Sequence, residues 1–460
     1  MRVSNLVLPD IREALHGETA DLSDALVDFH PADLAEIVAD LDEDETLQLL
    51  HAVPLDVVPQ IFEYLDTTRR AQLLSALPLQ TAATIAEHMS ADERADLFGS
   101  IEENLRTALL ARMHPDESRE VVRLLEYPPT SAGGIMTTEF LAFPARLPCG
   151  ELLERVRQAA GVTESIYTVY LTHEPGNRLA GVISLRDILM SLPERRGEEV
   201  MVENVVTVAP ETDQEEVARL ISKYDLISVP VVDDQKRVLG IVTVDDVLDV
   251  LQEESTEDIQ KIAGLTPTEE PYLHSSFWSM LRRRAGWLTV LFVGEMLTAT
   301  AMAFFESELE RAIVLALFIP LIISSGGNSG SQATSLVIRA LAVGELRLRE
   351  WSLVLRREML AGLALGTMLG VIAFARIALW PNRESVFGLH YGLVAMTVAL
   401  SLIGVVTFGT TVGSMLPLIL RRVGFDPATA SAPFVATLVD VTGLMIYFSM
   451  ALVILHGTLL

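Results

Sequence analysis

PFVATLVDVTGLMIYFSMALVILH, residues 433–456, is a long apolar run in which Asp440 is the one acidic or basic residue apart from the terminal histidine. Crossing a bilayer as a helix takes roughly 20 mostly apolar residues, so the run predicts a membrane span. A carboxylate at the centre of such a helix costs about 2.5–3.5 kcal/mol on insertion scales and calls for a compensating role. Two roles stand open: a cation site with Asp440 as its anionic ligand, or a protonated aspartate hydrogen-bonded inside the bundle. Working outward, 285–305, 312–341, 359–380 and 391–420 are apolar over a similar length, which predicts five spans. The second is interrupted by Gly326-Gly327-Asn328-Ser329-Gly330-Ser331-Gln332 just after Pro320. Non-helical backbone at that depth must be buried in protein or line water, so a pore-lining bend is expected there.

Charge sets the orientation. Arg282, Arg283 and Arg284 precede the first span, Arg339, Arg347, Arg349, Arg356 and Arg357 lie between the second and third, and Arg421 and Arg422 between the fourth and fifth. Basic residues in alternate loops place the N-terminal half in the cytoplasm and the C-terminus outside. The chain has 460 residues with 62 acidic against 34 basic, a net charge of −28, and all of the acidic excess lies before residue 281. That excess argues against nucleic-acid binding. The opening MRVSNLVLPDIREALHG lacks an uninterrupted apolar core, and Cys149 is the one cysteine, so a cytoplasmic soluble half without disulfides is expected.

That half holds two repeats. From about Pro31 to Glu103 a 24-residue pattern brings Leu41, Leu65 and Met89 into phase, as it does Leu50, Leu74 and Phe98, with turns near Asp42, Asp66 and Ser90. This predicts a superhelix of short helices. A second repeat aligns Gly181-Val182-Ile183-Ser184-Leu185-Arg186-Asp187 with Gly240-Ile241-Val242-Thr243-Val244-Asp245-Asp246. Each copy reads as strand, turn, strand and helix, with Ser184 or Thr243 capping the helix three residues before an aspartate. Just beyond, Asp245, Asp246, Asp249, Glu253, Glu254, Glu257 and Asp258 follow without a basic residue. Like charges at helical spacing cost roughly 0.2–0.5 kcal/mol per pair, which bound divalent cations would remove; a solvated acidic face is the plain alternative.

The paired Gly-φ-φ-(Ser/Thr)-x-x-Asp units resemble a tandem CBS (Bateman) module. With the helical repeat before them and the motifs at 326–332 and 433–443 after them, the order resembles the MgtE family of magnesium channels. The resemblance implies a multidomain fold: a helical-repeat N domain over 1–128, an α/β tandem CBS module over 129–255, a connecting, plug-like helix over 256–280 and a five-helix transmembrane domain over 281–460. It implies a Mg2+-selective, inner-membrane homodimer, multi-pass and gated by intracellular Mg2+, with Asp440 and Ala436 in the permeation site and Gly326, Gly327, Asn328, Gln332 and Glu310 lining the pore. It further implies regulatory Mg2+ on Asp92, Asp96, Asp213, Glu215, Asp225, Asp246, Asp249, Glu254, Glu257 and Asp258. Gln60 departs from this pattern, standing where an acidic partner is expected. The CBS resemblance makes ATP or another adenine nucleotide a candidate regulator at Tyr170, Arg186 and Asp187.

The chemistry fits this cargo. Mg2+ sheds water reluctantly and is usually held by one or two carboxylates with several waters retained, and a two-fold dimer would bring two copies of Asp440 to one axis. Mn2+ or Co2+ transport remains an alternative, as does a membrane-anchored sensor that conducts nothing. Glu295, in the first span, is open between a site residue and a satisfied interior carboxyl. No enzyme is expected: the chain has no Gly-x-x-x-x-Gly-Lys-(Ser/Thr) loop, no Gly-x-Ser-x-Gly elbow and no histidine pattern with metal-ligand spacing.

Overall fold

The 24-residue repeat becomes a ladder of short helices. In the computed structural model, which describes residues 4–15, 26, 28–161, 163–173, 176–268, 272, 275–306, 310 and 312–458, α1 (Ser4–Leu15) and α2 (Pro31–Asp40) are followed by α3 (Glu43–Ala52), α4 (Val58–Glu63), α5 (Thr67–Ala76), α6 (Leu79–Glu87), α7 (Ala91–Ser100), α8 (Glu103–Leu110) and α9 (Pro115–Leu124). Asp42, Asp66, Ser90 and His114 stand at the N-caps of α3, α5, α7 and α9, one repeat apart. Asp42 and Asp66 accept from the backbone N–H three residues on, at 2.8 and 2.9 Å, satisfying donors the helix leaves open. Cross-links keep the same step: Arg70 pairs with Glu93 and Arg94 with Glu117. The inner face is apolar, with Ile37, Leu49, Ile61, Phe62 and Phe98 fully buried.

The duplicated units form as expected. Strand β1 (Leu141–Pro144) runs parallel to β2 (Thr168–His173), which pairs antiparallel with β3 (Arg178–Ser184); α10 (Cys149–Ala159) lies between the first two, and α11 (Leu185–Met190) follows. The second copy has α12 (Gln214–Tyr224), the hairpin β4 (Ser228–Val232) and β5 (Val238–Thr243), and α13 (Val244–Ile262). Ala91 and Ala95 of α7 are buried in one cluster with Val217, Val229 and Val247, which seats this face of α7 on the second CBS unit. The stretch 256–280 holds no helix of its own among the described residues. Helix α13 continues the CBS unit to Ile262, Gly264 turns the chain at φ +74°, and the next helix begins at Phe277.

The chain divides into two compact units, Met1–Glu253 and Glu254–Leu460. In the second, five helices among the described residues are long and apolar enough to cross a membrane: α14 (Phe277–Phe304), Ile313–Ala342 with α15 (Ile319–Ala342) as its α-helical part, α16 (Trp351–Ala378) within Leu348–Ala378, α18 (Tyr391–Val423) and α19 (Ala432–Leu455). A short α17 (Arg383–Phe387) joins the third to the fourth.

The expected bend at 326–332 is absent, and α15 runs unbroken through it. Its glycines serve packing instead. A β-carbon on Gly409 would fall on the carbonyl of Gly326, and one on Gly413 on that of Gly330, so α15 and α18 approach backbone to backbone. Thr334 Oγ1 donates to the Gly413 carbonyl at 2.9 Å across the same seam. Small residues that let helices close in this way are the usual glue of membrane bundles.

Candidate permeation and regulatory sites

Helix α19 carries Ala436 and Asp440 one turn apart, and α15 packs beside it. Ser331 Oγ donates to the Ala432 carbonyl at 3.3 Å, and Gly327 faces Ala436, where a β-carbon would stand 3.6 Å from that of Ala436. This register leaves Ser324, Asn328 and Gln332, at successive turns of α15, exposed in the single chain, while Ala436 and Asp440 are half-buried. Gly326 and Gly327, expected to line a pore, are buried in the packing; Glu310 is exposed. A stripe of hydroxyls and amides facing outward from a membrane helix is costly against lipid and belongs against water or protein.

A second carboxyl stands here. Glu295 of α14 lies within hydrogen-bond reach of the Asp440 carboxyl, and no cationic side chain acts on Asp440 among the described residues. Trp287 Nε1 donating to Ser431 Oγ at 3.0 Å and Gly294 facing Thr437 fix the register of α14 on α19.

In the first unit the packing of α7 on the CBS core collects acids that are far apart in sequence. The carboxylate oxygens of Glu164, Asp245 and Asp246 all lie within 4.8 Å of one another. Thr243 N donates to Asp246 at 3.2 Å, and its hydroxyl reaches both Asp246 and, at 3.4 Å, Glu164. Asp92 is buried, with one carboxylate oxygen lacking any hydrogen-bond partner. Burial first, and then the charge of Glu93, raises Asp92; burial and Asp92 raise Asp246. Burial with Glu93 and Asp92 pushes Asp96 up to about 7, and burial with Asp92 pushes Glu164 up to about 8. Solvent still reaches Asp96 and Glu164, so crowding by protein and like charge raises them, not full enclosure. Ligands of an octahedral Mg2+ at about 2.0–2.1 Å stand roughly 3–4 Å apart, a spacing this cluster meets with small side-chain movements or through retained waters.

Sequence reasoning places Asp92, Asp96 and Asp246 here but misses Glu93 and Glu164, which have no motif around them. Asp249 is exposed on the same helix, and burial and Asp245 raise it. Asp213, Glu215 and Asp225 do not join the cluster. Asp213 caps α12 by accepting from Glu215 N at 2.9 Å, Glu215 pairs with Arg219, and Asp225 ends the helix in the left-handed region at φ 51°. Gln60 is exposed, its amide donating to the Asp56 carbonyl at 3.4 Å.

In the second unit, Glu257 and Asp258 meet Asp426, from the loop between the fourth and fifth spans. Lys261 Nζ pairs with Asp426 at 2.5 Å and with Glu257. Burial and then Asp426 push Asp258 up to about 6. In the first CBS unit, Arg186 and Asp187 are exposed; the Asp187 backbone N–H donates the capping bond to Ser184 Oγ at 3.0 Å, and its carboxylate accepts from that hydroxyl at 2.6 Å. Tyr170 is 1% exposed, with its hydroxyl 2.8 Å from that of Ser228.

The chain matches the MgtE divalent cation transporter model over residues 319–450, the MgtE intracellular N domain over 29–130 and the CBS domain over 132–194 and 198–253. It is 43% identical over 338 residues to the magnesium transporter MgtE of Thermus thermophilus, covering 74% of this chain and 73% of that one. The chain belongs to the MgtE family. A magnesium transporter MgtE of Enterococcus faecalis is 35% identical over 73% of this chain and 71% of its own. Among solved structures, the soluble part of a magnesium transporter matches 55% of this chain and 99% of its own at 28% identity and TM-score 0.52. The cytosolic domain of the Mg2+ channel MgtE in complex with ATP matches 53% and 99% at 37% identity and TM-score 0.51. This MgtE-family chain is thus a membrane transporter rather than an enzyme, built from a helical N domain, a CBS pair and five apolar helices.

Proposed function

We propose that this chain is a Mg2+ channel of the inner membrane, working as a homodimer with its first unit in the cytoplasm and its C-terminus outside. The observation that carries the reading is the outward polar stripe of Ser324, Asn328 and Gln332 beside Ala436 and Asp440. A second copy set against it would enclose a wet path lined by amides and two Asp440 carboxylates, wide enough for a cation that keeps most of its water. Cytosolic Mg2+ closes the path by binding the two acidic clusters, with Asp92, Asp96, Glu164, Asp245 and Asp246 in the first and Glu257, Asp258 and Asp426 in the second. An adenine nucleotide acts as a second regulator through Arg186 and Asp187. The test is Mg2+ flux into proteoliposomes: Asp440→Ala should remove it while the protein stays dimeric. Parental flux in that variant overturns the assignment, and good conduction by Asp440→Asn would leave Asp440 a protonated structural group.

A further inference from the structure

Four observations on the first span meet at one place. Glu295 sits deep in α14 and reaches the Asp440 carboxyl from a different helix. Both are half-buried, and no ion pair answers either carboxylate among the described residues, so the pair has no resident counter-charge. The seam that holds them is built, because Gly294 removes the side chain that would push α14 away from Thr437 and Trp287 bonds to Ser431. One turn beyond Glu295, the hydroxyl of Thr298 is buried without a hydrogen-bond partner, whereas Thr289 and Thr300 on the same helix donate to the carbonyls of Ala285 and Met296.

We propose that Glu295 is the second carboxylate of the permeation site, supplying each protomer with a two-carboxylate seat for a hydrated divalent cation at Asp440. The proposal rests on the reading of Asp440 as the ion site and adds the residue that sets its charge. A lone carboxylate on each protomer attracts a dication weakly in competition with monovalent ions. Two per protomer raise the selectivity for double charge, because attraction scales with ligand charge count while the mutual repulsion of the carboxylates penalises the empty site. Thr298 adds a neutral, unpartnered oxygen one turn along the same helix.

The measurement is Mg2+ flux against Mg2+ concentration in proteoliposomes of the full chain, with the reversal potential read in mixed Mg2+ and Na+. Glu295→Gln keeps the volume and a hydrogen bond to Asp440 but removes the charge, so a merely structural glutamate would leave both readouts unchanged. The half-saturating Mg2+ concentration should rise about tenfold, maximal flux should change little, and selectivity over Na+ should fall. Glu295→Asp, which keeps the charge and shortens the reach, should fall between, at about threefold. If the glutamine variant assembles and keeps the parental half-saturation and reversal potential, Glu295 is no ligand. Should it fail to assemble, a parental value in the aspartate variant overturns the proposal equally. Asp440→Ala run alongside separates the two readings: if it is silent while the Glu295 variants match the parent, only this inference fails, and if it conducts, the Asp440 site itself fails.

Discussion

Lys261, near the end of the helix that leaves the second CBS unit, and Asp426, in the loop before the last span, are joined at 2.5 Å, and the same ammonium pairs with Glu257. Burial works against the charge of Lys261, but the two carboxylates outweigh it and raise its pKa. One lysine therefore serves three acids, since Asp258 is crowded into the same place. It acts as a resident cation among them.

Replacing that lysine should make the second unit lean on Mg2+. Both partners of the ion pair remain partly exposed, so Lys261→Gln is expected to cost only about 1 kcal/mol, or roughly 2–4 °C in the unfolding midpoint without Mg2+. Millimolar Mg2+ should restore the parental midpoint by bridging Glu257, Asp258 and Asp426. A variant that is equally stable with and without Mg2+ would show that these acids hold no ion. Because the folded pKa of Lys261 is raised, the contribution of the ion pair is lost only above about pH 10.4, so the comparison is clean at neutral pH.

The acid cluster of the first unit carries the opposite sign. An acid whose folded pKa lies above its unfolded value near 4 binds its proton more tightly in the folded chain, so stability falls as pH rises between the two values. With Asp96 at about 7 and Glu164 at about 8, the window runs from about pH 4 to pH 8. In metal-free buffer the first thermal transition should drop by roughly 5 °C between pH 5 and pH 8, and saturating Mg2+ should flatten that slope. A midpoint that rises with pH would mean the carboxylates are not crowded as described.

The membrane seam predicts a sharp contrast between two glycines of one helix. Gly409→Val must displace the Gly326 backbone, whereas Gly392 has nothing within 4 Å of where its β-carbon would stand. Overpacking costs roughly 1–3 kcal/mol even where side chains can yield, and here a backbone must. The Gly409 variant should lose its monodisperse peak in detergent, and Gly392→Val should keep it. Equal behaviour would place the α15 and α18 contact elsewhere.

What was legible in the sequence is what repeats along one dimension. The turns at Asp42, Asp66 and Ser90, the doubled Ser184 and Thr243 units and the five apolar runs each need only a period or a length, and each stands where it was expected. The run 326–332 was misread because three glycines near a proline look like a break until their partners are seen; Gly409 and Gly413 lie some 80 residues away. Glu164 and Asp426 were missed for the same reason, since each is a lone acid brought to its cluster by tertiary packing. Asp213, Glu215 and Asp225, acids close in sequence, stand apart from the Glu164 cluster at the ends of α12 and in an ion pair.

On the proposed gating, closure by cytosolic Mg2+ comes from a difference in affinity between the closed and open forms, and moving a two-state gate from 1:99 to 99:1 takes about 5.5 kcal/mol of differential binding. No single cluster of water-exposed carboxylates supplies that, because flexible acidic sites hold divalent ions in the millimolar range or weaker. Several must share it, which suits a sensor that answers at cytoplasmic Mg2+ levels. Removing ligands from one cluster should therefore shift the closing concentration, and removing them from both should flatten the response. Asp92→Asn with Asp96→Asn, Glu164→Gln, Asp245→Asn and Asp246→Asn empties the first cluster while keeping every volume, and Glu257→Gln with Asp258→Asn and Asp426→Asn empties the second. In patches with Mg2+ controlled on the cytoplasmic side, either set should raise the concentration for half-closure about tenfold, and the combined variant should stay open at millimolar Mg2+. If the combined variant conducts and still closes at the parental concentration, the acids are only a solvated face, and the sensor lies among other residues.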